Sequence, residues 1–317
     1  MIRRIPSLVL LWLFSYAATS QGCSDAGFCT MGAMKPDQPF NKKIPIRLRS
    51  MEVSFYRGTT TLTPVVYVAT ADMSFNIIDT KTSLQVKIPY QAVSGNFANT
   101  SGLGDISICF TRNLYSSELF DINLSLGGKI PSNDANLKEN GLPLPMYYQT
   151  SLGTYDAIAG ISLITRDWLF ATGIQHPFLH KNNNQFKWSD WGDVYLNGEG
   201  KDYVFSYDGC YGLQRGTDVM LRIERNFRFS RLNFSVGLLP IYRITRDKIE
   251  AFNLNNKVVE KEDAIGLALS GIVTAGYNFN VRSGVKLLLG RKIVQREDNP
   301  DGLTRVEVST LSYYYRF

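Results

Sequence analysis

Apolar and polar residues alternate one by one through long stretches of this chain. In Asp121-Ile122-Asn123-Leu124-Ser125-Leu126-Gly127 the Ile and Leu residues share one face, while Asn, Ser and Gly share the other. Residues 231–238 and 105–111 repeat the pattern. Period two marks a β-strand with one apolar face, and no helical periodicity is sustained along the chain. Two architectures satisfy it: a soluble sandwich with the apolar face inward, or a membrane barrel with that face toward lipid.

Segment length separates them. Soluble strands run about five or six residues, whereas a tilted membrane strand needs about nine to eleven. The alternating segments here are long and number twelve: 48–57, 64–78, 83–91, 103–113, 119–130, 146–164, 168–178, 217–228, 231–246, 264–279, 283–295 and 304–317. Tight turns at 79–82, 113–118, 165–167, 229–230 and 280–282 alternate with long polar connections at 92–102, 131–145, 179–216, 247–263 and 296–303, the first connection on the long side, 58–63, alone being short. Short turns on one side and long loops on the other is the layout of an outer-membrane barrel, with the short side in the periplasm. The expected fold class is therefore all-β: a transmembrane antiparallel barrel of about twelve strands, with fourteen as the alternative.

The aromatic residues provide an independent check, since such barrels carry aromatic girdles at the membrane interfaces. The predicted periplasmic strand ends include Phe120, Trp168, Phe170, Phe227, Phe229, Tyr277 and Phe279. The chain ends Leu311-Ser312-Tyr313-Tyr314-Tyr315-Arg316-Phe317, with Tyr313, Tyr315 and Phe317 on one face. A terminal Phe on an alternating aromatic strand resembles the signal that the barrel assembly machinery reads on bacterial outer-membrane proteins.

The N-terminus reads as an address. A basic start at Arg3 and Arg4, an apolar run at 8–14 too short to span a bilayer, and small residues at Ala18 and Ser20 predict a secretory signal peptide over 1–20. Residues 21–47, rich in Gly, Pro, Asn and Lys, form an N-terminal periplasmic segment or plug, and 48–317 the barrel. Outside the cytoplasm disulfides are permitted, and Cys23 and Cys29 are the simplest pair. With Met31 and Met34 they also make a cluster of soft ligands that could hold copper(I), although the spacing matches no signature and no metal is expected. The net charge of +6 falls to about +4 without Arg3 and Arg4, too little to argue for nucleic-acid binding.

Three short motifs carry a resemblance. Ser101-Gly102-Leu103-Gly104-Asp105, Gln149-Thr150-Ser151-Leu152-Gly153-Thr154-Tyr155-Asp156 and Gly173-Ile174-Gln175-His176-Pro177 resemble strand signatures of the meta-pathway phenol-degradation transporter family, outer-membrane barrels akin to fatty-acid-transporter-like channels. The resemblance spans roughly residues 90–180 with the last strand. It implies passage or uptake of small solutes, apolar ones among them, and an N-terminal segment that inserts into the barrel as a hatch.

Charges within the alternating segments should avoid lipid, where Arg or Lys near the midplane costs about 2–4 kcal/mol. Lys87, Asp105, Asp156, Arg222, Glu224 and Lys286 are accordingly the lumen-lining candidates, binding a solute or pairing with one another. A Gly-x-Gly at 102–104 is no phosphate cradle, because no helix follows it. Catalysis has little to work with: the chain has two histidines, His176 and His180, in His-Pro-Phe-Leu-His, and neither has a Ser two residues on. The long loop carries Trp188, Trp191, Tyr195, Tyr203, Phe205, Tyr207 and Tyr211, either as a pocket or as the packed interior of an ordered loop.

Together these residues predict a channel or uptake protein of a Gram-negative outer membrane, with membrane lipid, the assembly machinery and a small solute as partners and no cofactor. The alternatives are a structural or adhesive barrel acting through its loops and, further off, an outer-membrane hydrolase.

Overall fold

The computed structural model describes residues 47–317 apart from 78, 80, 192–201 and 252–256. The signal peptide, the segment 21–46 with Cys23, Cys29, Met31 and Met34, and Tyr195 lie outside the described residues.

The strands are β1 (Arg47–Thr59), β2 (Val65–Asn76), β3 (Thr82–Ser94), β4 (Asn99–Leu103), β5 (Ile106–Ser116), β6 (Phe120–Ile130), β7 (Lys138–Glu139), β8 (Leu142–Pro143) and β9 (Thr154–Thr165). They continue as β10 (Trp168–His180), β11 (Asp218–Arg228), β12 (Leu232–Arg243), β13 (Asp247–Ala251), β14 (Lys257–Lys261), β15 (Gly266–Asn278), β16 (Ser283–Val294) and β17 (Glu307–Arg316). Two single-turn helices, α1 (Trp188–Trp191) and α2 (Asp202–Phe205), sit between β10 and β11.

Every neighbouring pair is antiparallel, and β1 pairs with both β2 and β17, so the sheet closes on itself. Twelve strands form the ring: β1, β2, β3, β5, β6, β9, β10, β11, β12, β15, β16 and β17. β4 extends β5 along the upper part of β3, with a slip between Tyr90↔Leu103 and Lys87↔Ser107. The slip has a local cause. Pro89 of β3 has no N–H to give, so the ladder breaks opposite it and Gly104 and Asp105 bulge. The predicted strand 103–113 is thus one wall element with a bulge near its top.

Connections 77–81, 117–119, 166–167, 229–231 and 279–282 are short and lie at one end with the chain terminus; the other end carries 60–64, 95–98, 131–153, 181–217, 244–265 and 295–306. By that asymmetry the first end is periplasmic and the second extracellular. The predicted strand 146–164 begins later than expected, at Thr154. Met146–Tyr148 forms a buried single turn of 3-10 helix, because Pro143 and Pro145 precede it and Gly153 turns with φ of 66°.

Alternation decides which face meets lipid. Along β10 burial switches residue by residue, with Leu169 and Ala171 buried while Phe170 and Ile174 are about two-fifths exposed. The same outer belt continues through Phe55, Leu126, Leu238 and Leu311, all exposed on a closed ring. In water such a belt would be an aggregation surface; in a bilayer it is the solvated face. Aromatic pairs mark the periplasmic rim: Trp168 stacks on Phe170 at 5.7 Å, Tyr277 meets Phe279 at 5.6 Å, and Tyr315 meets Phe317 at 5.0 Å.

Apolar burial is concentrated at the extracellular end, where loops fold inward over the mouth. Phe97, Phe186, Trp191 and Tyr207 pack with Tyr147 and Tyr148 into an aromatic cap, Phe97 lying 4.5 Å from Trp191 and 4.9 Å from Tyr207 by ring centroids. The described loop aromatics at the centre of this cap are therefore a packed interior. The polar run 181–184 is divided, with Lys181 and Asn183 exposed and the other two buried: Asn184 Nδ2 donates to the carbonyls of Ala135 (2.9 Å) and Leu144 (3.0 Å), and Asn182 Nδ2 to that of Leu152 (2.9 Å). Side-chain amides here supply the hydrogen bonds that buried loop backbone cannot get from water.

Candidate functional site

Beneath the cap, the barrel interior is built largely from the polar half of the alternating strands, with one apolar patch where Ile158, Leu169, Ala171, Met220, Leu239 and Ile272 meet. Toward the periplasmic end of β5 and β6 the interior is neutral and close-knit: Thr111 and Ser125 share a hydrogen bond of 2.8 Å, and Asn113 donates to Asn123 at 3.0 Å. Lys87 stands 3.9 Å from Asp72, whose Oδ2 also accepts from Gln85 at 2.7 Å. On β11, Arg222 and Glu224 are two residues apart, so both point inward and pair through the guanidinium. Gly237, opposite Glu224, leaves the room this pair needs: a Cβ there would stand 2.5 Å from Glu224 Cγ.

The densest charge lies at the upper rim. Arg243, at the end of β12 and fully buried, is the hub. Its Nε donates to Asp218 Oδ1 (2.8 Å) and its Nη2 to Asp301 Oδ2 (2.8 Å), while its Nη1 reaches Asp247. Arg215 binds Asp218 (2.7 Å) and Asp301 (3.1 Å) and lies 3.5 Å from Asp156. Lys129 bridges Asp156 (3.8 Å) and Asp105 (3.5 Å). Loops and wall are thereby sewn together, because Arg215, Asp247 and Asp301 come from three different loops.

Asp301 reaches this layer through a turn that its sequence favours. Asn299-Pro300-Asp301-Gly302 closes with Gly302 N–H on the Asn299 carbonyl at 2.9 Å, placing Pro at the second and Gly at the fourth position of a type I turn. Gly302 is required twice over, by φ of 65° and because a Cβ would lie 2.6 Å from the Tyr147 nitrogen. Burial alone would raise the Asp301 carboxyl, but the guanidiniums of Arg243, Arg296 and Arg215 outweigh it and hold the group far below the usual carboxylate range. At Asp247 burial wins, helped by repulsion from Asp301, and the carboxyl is raised despite Arg243. Asp208, which accepts the Asn299 N–H at 2.9 Å, is pushed up to about 6, chiefly by burial.

Among the sequence-predicted positions, Lys87, Asp156, Arg222 and Glu224 are buried on the inner face, and the Asp105 side chain is 7% exposed. Lys129 joins Asp105 to Asp156, and Arg222 joins Glu224. Lys286 pairs in register with Ser312 and Gly276 and is half-buried, apart from the upper cluster. Tyr313 and Phe317 are exposed at the rim, and Tyr315 is partly covered. Cys109 and Cys210 are buried free thiols, the latter pushed up to about 12 by burial. Sequence reading missed Asp72, Lys129, Arg215, Asp218, Arg243, Asp247, Arg296 and Asp301. For Asp72, Lys129, Asp218 and Arg243 the signal was available, since each has inward parity on its strand. Those in loops had no periodicity to reveal them.

Ring closure, the outward apolar belt and the charged interior decide the class. The fold is that of an outer-membrane β-barrel. This barrel is similar to the COG4313 outer-membrane channel from Pseudomonas putida F1, with a TM-score of 0.58 and 11% identity over 89% of this chain and 99% of that one. The CymD monoaromatic hydrocarbon channel covers 96% of this chain at 9% identity, but with a TM-score of 0.40. Outer membrane phospholipase A from Escherichia coli covers 86% at 8% identity and 0.39. The last two scores are too low to bear on what this barrel does. No protein-family description and no curated protein matches the chain by sequence.

Proposed function

We propose that this barrel is an outer-membrane channel for small solutes, with the aromatic cap and the ion-paired layer beneath it controlling the outer mouth. The observation that carries the reading is the division of the interior: a closed ring whose inner wall is polar and charged apart from an apolar patch at Ile158, Leu169, Met220, Leu239 and Ile272, under an apolar lid made of loops. A polar lumen offers a path through the bilayer, and a lid tied down by ion pairs can be released without unfolding the wall. The fold shared with a protein described as an outer-membrane channel supports it. Lys87, Asp105, Asp156, Arg222, Glu224 and Lys286 then line the path, and a plugging role for the segment ahead of β1 is what deletion of residues 21–41 tests.

A structural or adhesive barrel is the second reading, favoured by how completely the cap and the upper cluster fill the mouth. A hydrolase has less support. His176 lies on the outer face with Nδ1 2.8 Å from Thr217 Oγ1, and His180 Nε2 lies 3.3 Å from the Arg215 carbonyl; a triad needs a nucleophile, a base and a group orienting the base. Planar-bilayer recording separates the readings. A channel shows discrete conductance steps that increase when residues 21–41 are deleted; a barrel silent in both forms is structural.

A further inference from the structure

Just under the cap, the wall and loops enclose a cavity of about 90 Å³. At roughly 10–15 Å³ per water-sized position, that is space for about six to nine such positions. One side is apolar, formed by Val66, Val68, Pro89, Leu152 and Leu303. The other presents three cations, Lys87, Lys129 and Arg305, against two carboxylates, Asp105 and Asp301.

These charges differ in what they already hold. Asp105 accepts the N–H groups of Ser132 (3.3 Å) and Leu152 (3.1 Å) and faces Lys129; Asp301 is taken by guanidiniums; Lys87 faces Asp72. Arg305 is the exception. It is 5% exposed, its Nη1 donates to the carbonyls of Gly302 (3.1 Å) and Thr304 (3.0 Å), its side chain also hydrogen-bonds the neutral Tyr56 hydroxyl, and no carboxylate pairs with it among the described residues. Its Nε is buried with no hydrogen-bond partner. A guanidinium cannot shed its proton to escape such a site, so the charge persists and calls for an anion.

We propose that this cavity binds a small organic monoanion with an apolar body, its carboxylate on the guanidinium of Arg305 and its hydrocarbon against Val66, Val68 and Leu303. The excess of one cation selects one negative charge, the apolar wall disfavours sugars and inorganic ions, and the volume fits a single-ring or short aliphatic acid. The assignment deepens the channel reading by naming a solute class and depends on it only for the solute's onward passage.

Calorimetric titration of the full-length protein in detergent, with empty micelles as blank, tests it using benzoate and its uncharged isostere benzamide. Saturable one-to-one benzoate binding is expected, with benzamide at least tenfold weaker. Arg305→Gln should weaken benzoate at least tenfold, and Val68→Phe, which fills the apolar side and leaves the guanidinium, should do the same. Each variant is first shown to be a closed barrel by its fast mobility on an unheated gel. Equal affinity for benzoate and benzamide, benzoate binding unchanged in a closed Arg305→Gln barrel, or no benzoate binding by the parent protein would each overturn the proposal; should neither variant close, the two-ligand comparison decides. Bilayer recording of the same preparation keeps the two ideas apart: binding without conductance upholds the site and refutes the channel, and conductance without binding does the reverse.

Discussion

Replacing Arg243 with Leu removes the hub of the upper cluster while keeping much of its volume. Asp218, Asp247 and Asp301 would then share only Arg215 and Arg296. Removing one partner of a buried ion pair costs about 3–5 kcal/mol, because the remaining charge stays buried. The wall of the barrel does not depend on these contacts, whereas the loops bearing Asp247 and Asp301 do, so the cost falls on cap closure. At about 1.4 kcal/mol per power of ten, open-cap population should rise by roughly two to three and a half powers of ten at neutral pH. Hydrogen–deuterium exchange reads this directly at the Gly216 and Ile244 amides, which donate to Asp247 Oδ1 (2.6 Å) and the Thr217 carbonyl (2.9 Å). The Asp247 carboxyl is already raised, and losing Arg243 raises it further, so acidification should protonate it and restore much of the closure. Arg243→Leu combined with Asp247→Leu leaves two carboxylates facing two guanidiniums and should recover most of the loss even at neutral pH. If cap exchange in Arg243→Leu matches the parent protein, or if the double variant is as open as the two single losses added together, the cluster does not hold the cap.

Three further outcomes follow from particular contacts. Asp208 has a folded-state pKa of about 6, above its ordinary value near 4, so the folded state takes up the extra proton and cap stability falls as pH rises through that interval. Asp208→Asn should abolish this pH dependence, measured as the thermal midpoint of Trp fluorescence between pH 4 and 7. Asn184→Ala strips the Ala135 and Leu144 carbonyls of a donor and should lower cap stability by about 2–3 kcal/mol, seen as faster exchange in 133–148 with the barrel melt unchanged. Deleting Phe317 removes the ring packed on Tyr315 at 5.0 Å and should leave the protein largely absent from outer-membrane fractions; normal levels would deny the terminal residue its role in assembly.

The wall was legible because lipid imposes a rule on every second residue. Leu124 and Leu126 share a face as the alternation requires, and β10, β12 and β16 begin within a residue of their expected starts. The cap was not legible. Asn182 and Asn184 look like loop-tip residues, yet they are buried, since their amides replace water for the backbone of other loops. Met146–Tyr148 continues an apolar run into a strand and so reads as its start, while the prolines before it and Gly153 after it turn it into the cap instead. Arg243 and Asp301 are 58 residues apart in sequence, and only the folded loops reveal that they meet. Inward parity identified Arg222 and Glu224, which share a strand, but gave no access to partners supplied by loops.

The seam of the ring lies between its first strand and its last. Glu307 and Thr59 meet there across 248 residues of chain, whereas β1 and β2 are joined by a few. By the logarithmic cost of loop closure, bringing such distant ends together costs about 5 kcal/mol, against under 2 kcal/mol for a hairpin. Until β17 has been made and delivered, β1 and β16 are both open edges with unpaired backbone groups and an apolar face, able to pair with any other strand. Closure of the ring is therefore an event that belongs to Glu307–Arg316, and the cell must shelter the strands before them until those residues arrive.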